Sequence, residues 1–276
     1  MRVLLEAEAD PTARGNRDLT PFHWATWNGQ YGPTRLFIDL GLDLEVRDQD
    51  GHTPLCWAVM HGHTTTAKLL LEAGADIATR AEGGESLLHA AAGRGRDSAI
   101  RMLLERGMDI ETRNDYGRTP LYAAAQSGQL ATVRLLLEAG ARIDERDDEG
   151  WLPMHRAAGN GHDAVVRFFI DKGVGVDEED TWQRTALFFS SWSGRTDVAE
   201  TLIEAGAEVN RRDRDGRTPL HWAAHNGHEE AAMLLLENDA DRSLEDVNGD
   251  TAASWATRNG QGDLVRKIEA NQSVGV

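Results

Sequence analysis

The stretch Gly117 to Ala141, GRTPLYAAAQSGQLATVRLLLEAGA, decides how the rest of the chain is read. Thr119-Pro120 has the form of a helix start: a hydroxyl N-cap followed by proline at the first helical position, where its missing N–H is not needed. The small-residue run Leu121 to Gln126 then stops at Gly128, a residue able to take the left-handed conformation that closes helices. A second helix carrying Val133, Leu135, Leu136 and Leu137 stops in the same way at Gly140. Two helices this short cannot bury a core in each other. They require a neighbour of their own kind.

Copies occur at one fixed spacing. Thr20, Thr53, Ser86, Thr119, Leu152, Thr185, Thr218 and Thr251 occupy the cap position, each 33 residues after the last. Nine residues after every cap stands a glycine, from Gly29 to Gly260, and a second glycine recurs at Gly41, Gly74, Gly107, Gly140, Gly173 and Gly206 before lapsing to Asp239 and Gln272. Thr218-Pro219-Leu220-His221 is the clearest tetrad; Thr20 to His23, Thr53 to Cys56, Ser86 to His89 and Thr119 to Tyr122 match it in part. A 33-residue period with TPLH-like tetrads resembles the ankyrin repeat. The resemblance covers essentially the whole chain. It implies an all-α solenoid of helix-turn-helix units with projecting hairpin fingers, and a repeat array grows without one central core.

The register divides the chain into a half-repeat, residues 1–14, and eight units over 15–276. Val3, Leu4 and Leu5 align with Leu69, Leu70 and Leu71, so the half-repeat reads as the end of a second helix, favouring an upstream segment. In the last unit, 246–276, Lys267 and Glu269 replace the apolar Leu234 and Leu236 of its predecessor. A polar outer face is what a terminal capping repeat needs.

The formal charge of −17 argues against a nucleic-acid backbone as partner and favours basic proteins or peptides through long-range steering, with solubility as the plainer consequence. One cysteine, Cys56, in a tetrad-histidine slot, permits no internal disulfide; it reads as a small buried hydrophobe in a reducing, cytoplasmic or nuclear setting. No apolar run approaches a membrane span. Arg47, Arg80, Arg113, Arg146 and Arg212 recur beside the fingers, mostly followed by an acid or amide, and read as exposed ion pairs between adjacent fingers.

The resemblance implies binding through finger tips and the exposed inner-helix face, which are the positions one, three and four before each cap and seven and eight after it. Those positions hold Trp27 and Met60 early in the chain, and Tyr116, Trp151, Trp182 and Trp192 in units four to six, where a shared patch is expected. Unit six departs furthest from its siblings: Gln183 replaces the finger glycine, Ala186 the proline, Phe188 the histidine and Ser190-Ser191 the alanine pair. Such departures mark functional sites or drift. Arg156 and Arg184 join the aromatic residues as expected anchors. Trp24, Trp57, Trp222 and Trp255, four residues after their caps, read as core.

The chain therefore reads as a protein- or peptide-binding module rather than an enzyme, a single array or part of a longer chain, with no cofactor and no metal. One alternative is a Trp cage for a methylated lysine or other cation, which Trp151, Trp182 and Trp192 beside Asp148, Glu149 and Asp180 would supply. Another is a small-molecule or catalytic site, for which His225 with Asp215 is the nearest pair. Most of the ten histidines have structural roles: His23, His89, His155 and His221 are tetrad residues, and His63, His162 and His228 follow the helix-ending glycine.

Overall fold

The computed structural model describes residues 10–270; Val3, Leu4 and Leu5 lie outside them. Sixteen α-helices occur among the described residues, in eight inner–outer pairs. They run Pro21–Trp27 and Tyr31–Asp39, Pro54–Met60 and Thr64–Glu72, Leu87–Ala92 and Asp97–Glu105, Pro120–Gln126 and Leu130–Glu138, Pro153–Asn160 and Asp163–Asp171, Ala186–Trp192 and Thr196–Glu204, Pro219–Asn226 and Glu229–Glu237, and Ala252–Arg258 and Gly262–Ala270. There is no strand among these residues, only isolated bridges Arg80–Ser86 and Glu245–Thr251 at finger bases. The chain forms two compact units: one runs up to Ala124 and includes 131–142, and the other comprises 125–130 and 143 onward.

In the four repeats that have one, the tetrad histidine ties the helix pair to the finger that follows. At Thr20 the backbone N–H donates to His23 Nδ1 (3.1 Å), and the Nε2–H of the same ring reaches Val46 O (3.1 Å) and His52 O (3.2 Å). His89 and His221 repeat the arrangement through Ser86 and Arg118 O, and through Thr218 and Asp250 O. Leu152 has no hydroxyl to offer, yet its N–H still donates to His155 Nδ1 (3.0 Å) while Nε2–H donates to Glu178 O (2.7 Å). Burial lowers the pKa of all four rings, His155 to about 4.

The glycine nine residues after the cap has two reasons to be glycine. At Gly128 φ is +69°, and an added Cβ would meet the His162 ring at 2.5 Å. That ring crosses the turn so that its Nε2 bonds Gln126 O (2.9 Å). His63 to Trp27 O (2.8 Å), Arg96 to Met60 O (3.0 Å) and Arg195 to Gly159 O (3.3 Å) are the same staple elsewhere. Gln183 and Asp239, which replace glycines, take the glycine conformation with φ of 62° and 64°.

Six of the eight fingers are folded by the residue five before the cap; Gly15 and Ala81 take that place in the other two. Asp48, Asn114, Asp147, Asp180, Asp213 and Asp246 are buried, and one side-chain oxygen of each accepts the N–H groups two and four residues on. The arginine beside it does something other than the expected ion pairing. Arg47 donates to Gly51 O and to Arg80 O (2.7 Å), Arg80 to Gly84 O and Arg113 O, and Arg212 to Gly216 O and Glu245 O (2.6 Å). Arg146 donates to Gly150 O and Glu179 O and adds an ion pair with Glu178. The recurring contact is guanidinium to the next finger's carbonyl; the acids after Arg47, Arg146 and Arg212 are spent on their own turns, and Arg80 is followed by Ala81.

Cys56 is buried in the first unit, and burial pushes its thiol pKa up. The alanine pairs Ala91-Ala92, Ala157-Ala158 and Ala223-Ala224 are buried where inner helices meet, and so are their replacements Ser190 and Ser191.

Candidate interaction surface

An aromatic residue seven positions after one cap meets the tryptophan four positions after the next. In the first unit Trp27 lies between Trp24 (centroids 4.9 Å apart, 3° between planes) and Trp57 (4.4 Å, 7°), and His61 stacks beside Trp57 (5.5 Å, 21°). In the second unit Trp192 meets Trp222 (5.1 Å, 38°) and His225 meets Trp255 (5.1 Å, 67°). Trp222 and Trp255 pack edge to face at 5.3 Å. The inner helices set this spacing: consecutive copies lie side by side, so positions +4 and +7 on adjacent helices share one face.

The second-unit line extends backwards through the sixth repeat. Trp192 contacts Phe188 and Phe189, each at 6.4 Å, and Phe189 packs on Trp151 at 4.3 Å. Two guanidinium groups lie over Trp151, those of Arg156 (4.3 Å) and Arg184 (5.4 Å). Arg184 is also held by Asp180 at 2.7 Å. The expected anchors Trp151, Arg156, Arg184 and Trp192 are thus brought into one cluster, though not all as surface groups. Trp151 is only 8% exposed, because Phe189 and the two arginines cover it. Met60 is likewise interior at 2%, since an unbranched apolar side chain has no polar end to hold it in water.

Trp182, 51% exposed, and Trp192, 37% exposed, do face solvent. Trp182 sits at a finger tip with Arg214 6.0 Å from its ring centroid. Tyr116 is exposed on the first unit beside Arg118 (5.0 Å), and Trp27 is half-buried within its stack. The tryptophans assigned to core are a correction. Trp57, Trp222 and Trp255 are half-buried, and Trp24 is 49% exposed. A tryptophan at +4 is covered by the preceding repeat's inner helix, and no such helix precedes Trp24 among the described residues.

Acceptors for the indole nitrogens come from the finger acids. Trp57 Nε1 donates to Asp48 Oδ2 (2.9 Å) and Trp255 Nε1 to Asp246 Oδ2 (3.2 Å). Trp222 Nε1 has no partner, and neither does Trp151 Nε1. The pair His225–Asp215 is not formed. His225 Nδ1 meets Asn259 Nδ2 at 2.9 Å, and Asp215 pairs with Arg217 at 2.5 Å. The donor atoms of Asp48, Asp50 and His52 lie within 4.8 Å of one another. Those carboxylates are already committed, Asp48 to its own turn and Trp57, and Asp50 to Arg17.

No helix among the described residues is long and apolar enough to cross a membrane. A search of curated proteins finds no match. The crystal structure of the human ASB11 ankyrin repeat domain is similar over 82% of this chain and all of that one, at 26% identity and a TM-score of 0.71. The family model for ankyrin repeats (three copies) matches residues 1–81, 78–147, 140–213 and 205–273. The 33-residue register, the capped helix pairs and these matches agree: the chain belongs to the ankyrin-repeat family.

Proposed function

We propose that the chain binds a protein or peptide along the Trp192–Trp222–Trp255 line of its second unit, with Trp182 as a further anchor. Ankyrin repeats are in general protein-interaction modules. The observation that carries the finer reading is Trp192: it is exposed to solvent, yet its ring is braced by Phe188, Phe189 and Trp222. A rigid exposed aromatic side chain loses little entropy on docking, and a few such residues dominate interface energies. On the first unit, Tyr116 and Trp27 are proposed as contact residues of their own.

The charge of −17 favours arrival of a partner that is basic overall, in a reducing cytoplasmic or nuclear compartment suited to free Cys56. A cation cage has less support, because the chain's own guanidiniums already lie over Trp151, Trp182, Trp222 and Trp255. No catalytic role is assigned. The test is affinity capture from lysate with the wild-type chain and with Trp182→Ala and Trp192→Ala. A protein retained by the first and lost by both folded variants supports the reading; equal retention by all three removes it.

A further inference from the structure

The seventh repeat contains a conflict that its siblings avoid. In repeats two and eight the finger acid accepts the indole N–H nine residues on: Asp48 from Trp57, and Asp246 from Trp255. Repeat six has phenylalanine at that position. Its acid, Asp180, is instead held by Arg184, one residue before the cap, at 2.7 and 2.8 Å. Repeat seven has both competitors, Trp222 and Arg217, and satisfies neither with Asp213.

Arg217 stands 4.0 Å from Asp213 Oδ2 and pairs more closely with Asp215 at 2.5 Å. Its guanidinium carbon is 5.5 Å from the ring centroids of both Trp222 and Trp255. Two buried donors are left without acceptors, Arg217 Nε and Trp222 Nε1. Buried donors without partners are rare in native proteins and mark stored strain or an unfilled role. The Asp213 carboxyl lies above the usual carboxylate range because of its burial, which outweighs the N–H groups it accepts.

We infer that repeat seven is a two-position switch within the binding line. In one position Arg217 lies over Trp222 and Trp255; in the other Arg217 has left and Trp222 donates to Asp213, as Trp57 does to Asp48. The partner that selects the second position is one presenting a carboxylate to Arg217 beside an apolar side chain on Trp192. Such a partner replaces Asp215 as the guanidinium's acceptor and draws Arg217 off the two rings, and Asp213 then accepts from the indole. A ligand shifts an equilibrium only by its differential affinity for the two states, and the carboxylate supplies that difference. The inference rests on the proposed Trp192–Trp222–Trp255 surface and adds its regulation and the local chemistry of the partner. A partner that is basic overall still meets the requirement with one acidic residue.

Two measurements separate the switch from the surface. The first needs no partner. The Trp222 indole N–H is assigned by NMR through its loss in Trp222→Phe, and its hydrogen exchange is followed in wild type and in Arg217→Ala. Exchange slows about tenfold or more in Arg217→Ala, and adding Asp213→Asn removes the gain. Asparagine keeps the finger, as Asn114 does, but turns an N–H toward the indole. Unchanged exchange in Arg217→Ala overturns the switch even if partner binding is real.

The second is selection of a random peptide library displayed on phage against the wild-type chain, with counter-selection on Trp192→Ala. The recovered peptides carry aspartate or glutamate near an aromatic or aliphatic residue. They bind Arg217→Ala at least about tenfold more weakly. Peptides lacking acids, or indifferent to Arg217→Ala, overturn the carboxylate requirement. Recovery of none at all defeats the surface, and the partner requirement with it, while the exchange experiment still decides the switch.

Discussion

Trp57 donates its indole N–H to Asp48 Oδ2 at 2.9 Å, across nine residues of the same repeat. The bond fixes the plane of a ring that also stacks on Trp27, so one contact orders both the finger and the aromatic line. Trp57→Phe keeps most of the ring area but leaves a buried carboxylate oxygen short of a donor. The expected loss is about 1–3 kcal/mol, the cost of an unsatisfied buried polar group. Trp222→Phe breaks no such bond and is expected to cost clearly less. Urea midpoints of the two variants make the comparison, and equal losses would show that ring packing alone matters.

The acid response should come from the tetrad histidines. His155 Nδ1 accepts the Leu152 N–H while its Nε2–H donates to Glu178 O, so a second proton has no place without breaking a bond. Its folded pKa is lowered to about 4 by burial, against about 6.5 unfolded. Below 6.5 the unfolded chain takes up a proton that the fold refuses. Stability is therefore complete above about pH 6.5 and falls as pH drops toward 4, by roughly 3 kcal/mol from this ring. His23, His89 and His221, lowered for the same first cause, add in the same direction. Melting temperatures of wild type and His155→Gln between pH 7 and 4.5 test this. The variant starts lower and loses less on acidification.

The helices were legible because their signals are local: hydroxyl cap, proline, and glycine nine residues on. Side-chain exposure was not, because it depends on contacts 30 or more residues away. Trp27 is enclosed by Trp57 of the next repeat, and Trp151 by Phe189 of the next. A single repeat shows neither cover. The pairing of +7 with the following +4 was readable in principle, since Trp27 and Trp57, and Trp192 and Trp222, stand 30 apart. The arginine line was misread for a related reason. Asp48 and its counterparts look like free anions in sequence, and only the folded turn shows them saturated by backbone N–H groups.

The sixth repeat is expected to gain stability from reversion toward its siblings. Gln183 holds φ at 62° in an exposed finger, a conformation costing a non-glycine residue about 1–2 kcal/mol. Ser191 Oγ is buried without a partner where four of the other repeats place alanine. Gln183→Gly recovers part of the strain, offset by the greater freedom of unfolded glycine, for a net gain of about 0.5–1 kcal/mol. Ser191→Ala removes a stranded hydroxyl and should gain about 1 kcal/mol. Hydrogen exchange in the wild type should show residues 180–200 opening more readily than 114–140. A double variant no more stable than wild type would place the repeat's weakness elsewhere.

Trp182 and Trp192 distinguish an interface from a core, and the two differ in what their loss does. Trp182 stands 51% exposed at a finger tip, and its removal uncovers little. Trp182→Ala should melt within a degree or two of wild type. Trp192 is braced by three rings, so Trp192→Ala should lose about 1–2 kcal/mol of stability, well short of the 3–5 kcal/mol of a core tryptophan. Binding reverses the order of consequence. Truncating a central anchor costs roughly 2 kcal/mol, about thirtyfold in affinity for a captured partner. Trp57→Ala, in the first unit, supplies the opposite profile: a large fall in melting temperature with no direct effect on a partner held by the second. Calorimetric titration and thermal melts on the three variants give six numbers. If Trp192→Ala melts as early as Trp57→Ala while the partner still binds, Trp192 is a core residue that happens to reach solvent, and the sixth repeat's departures are drift.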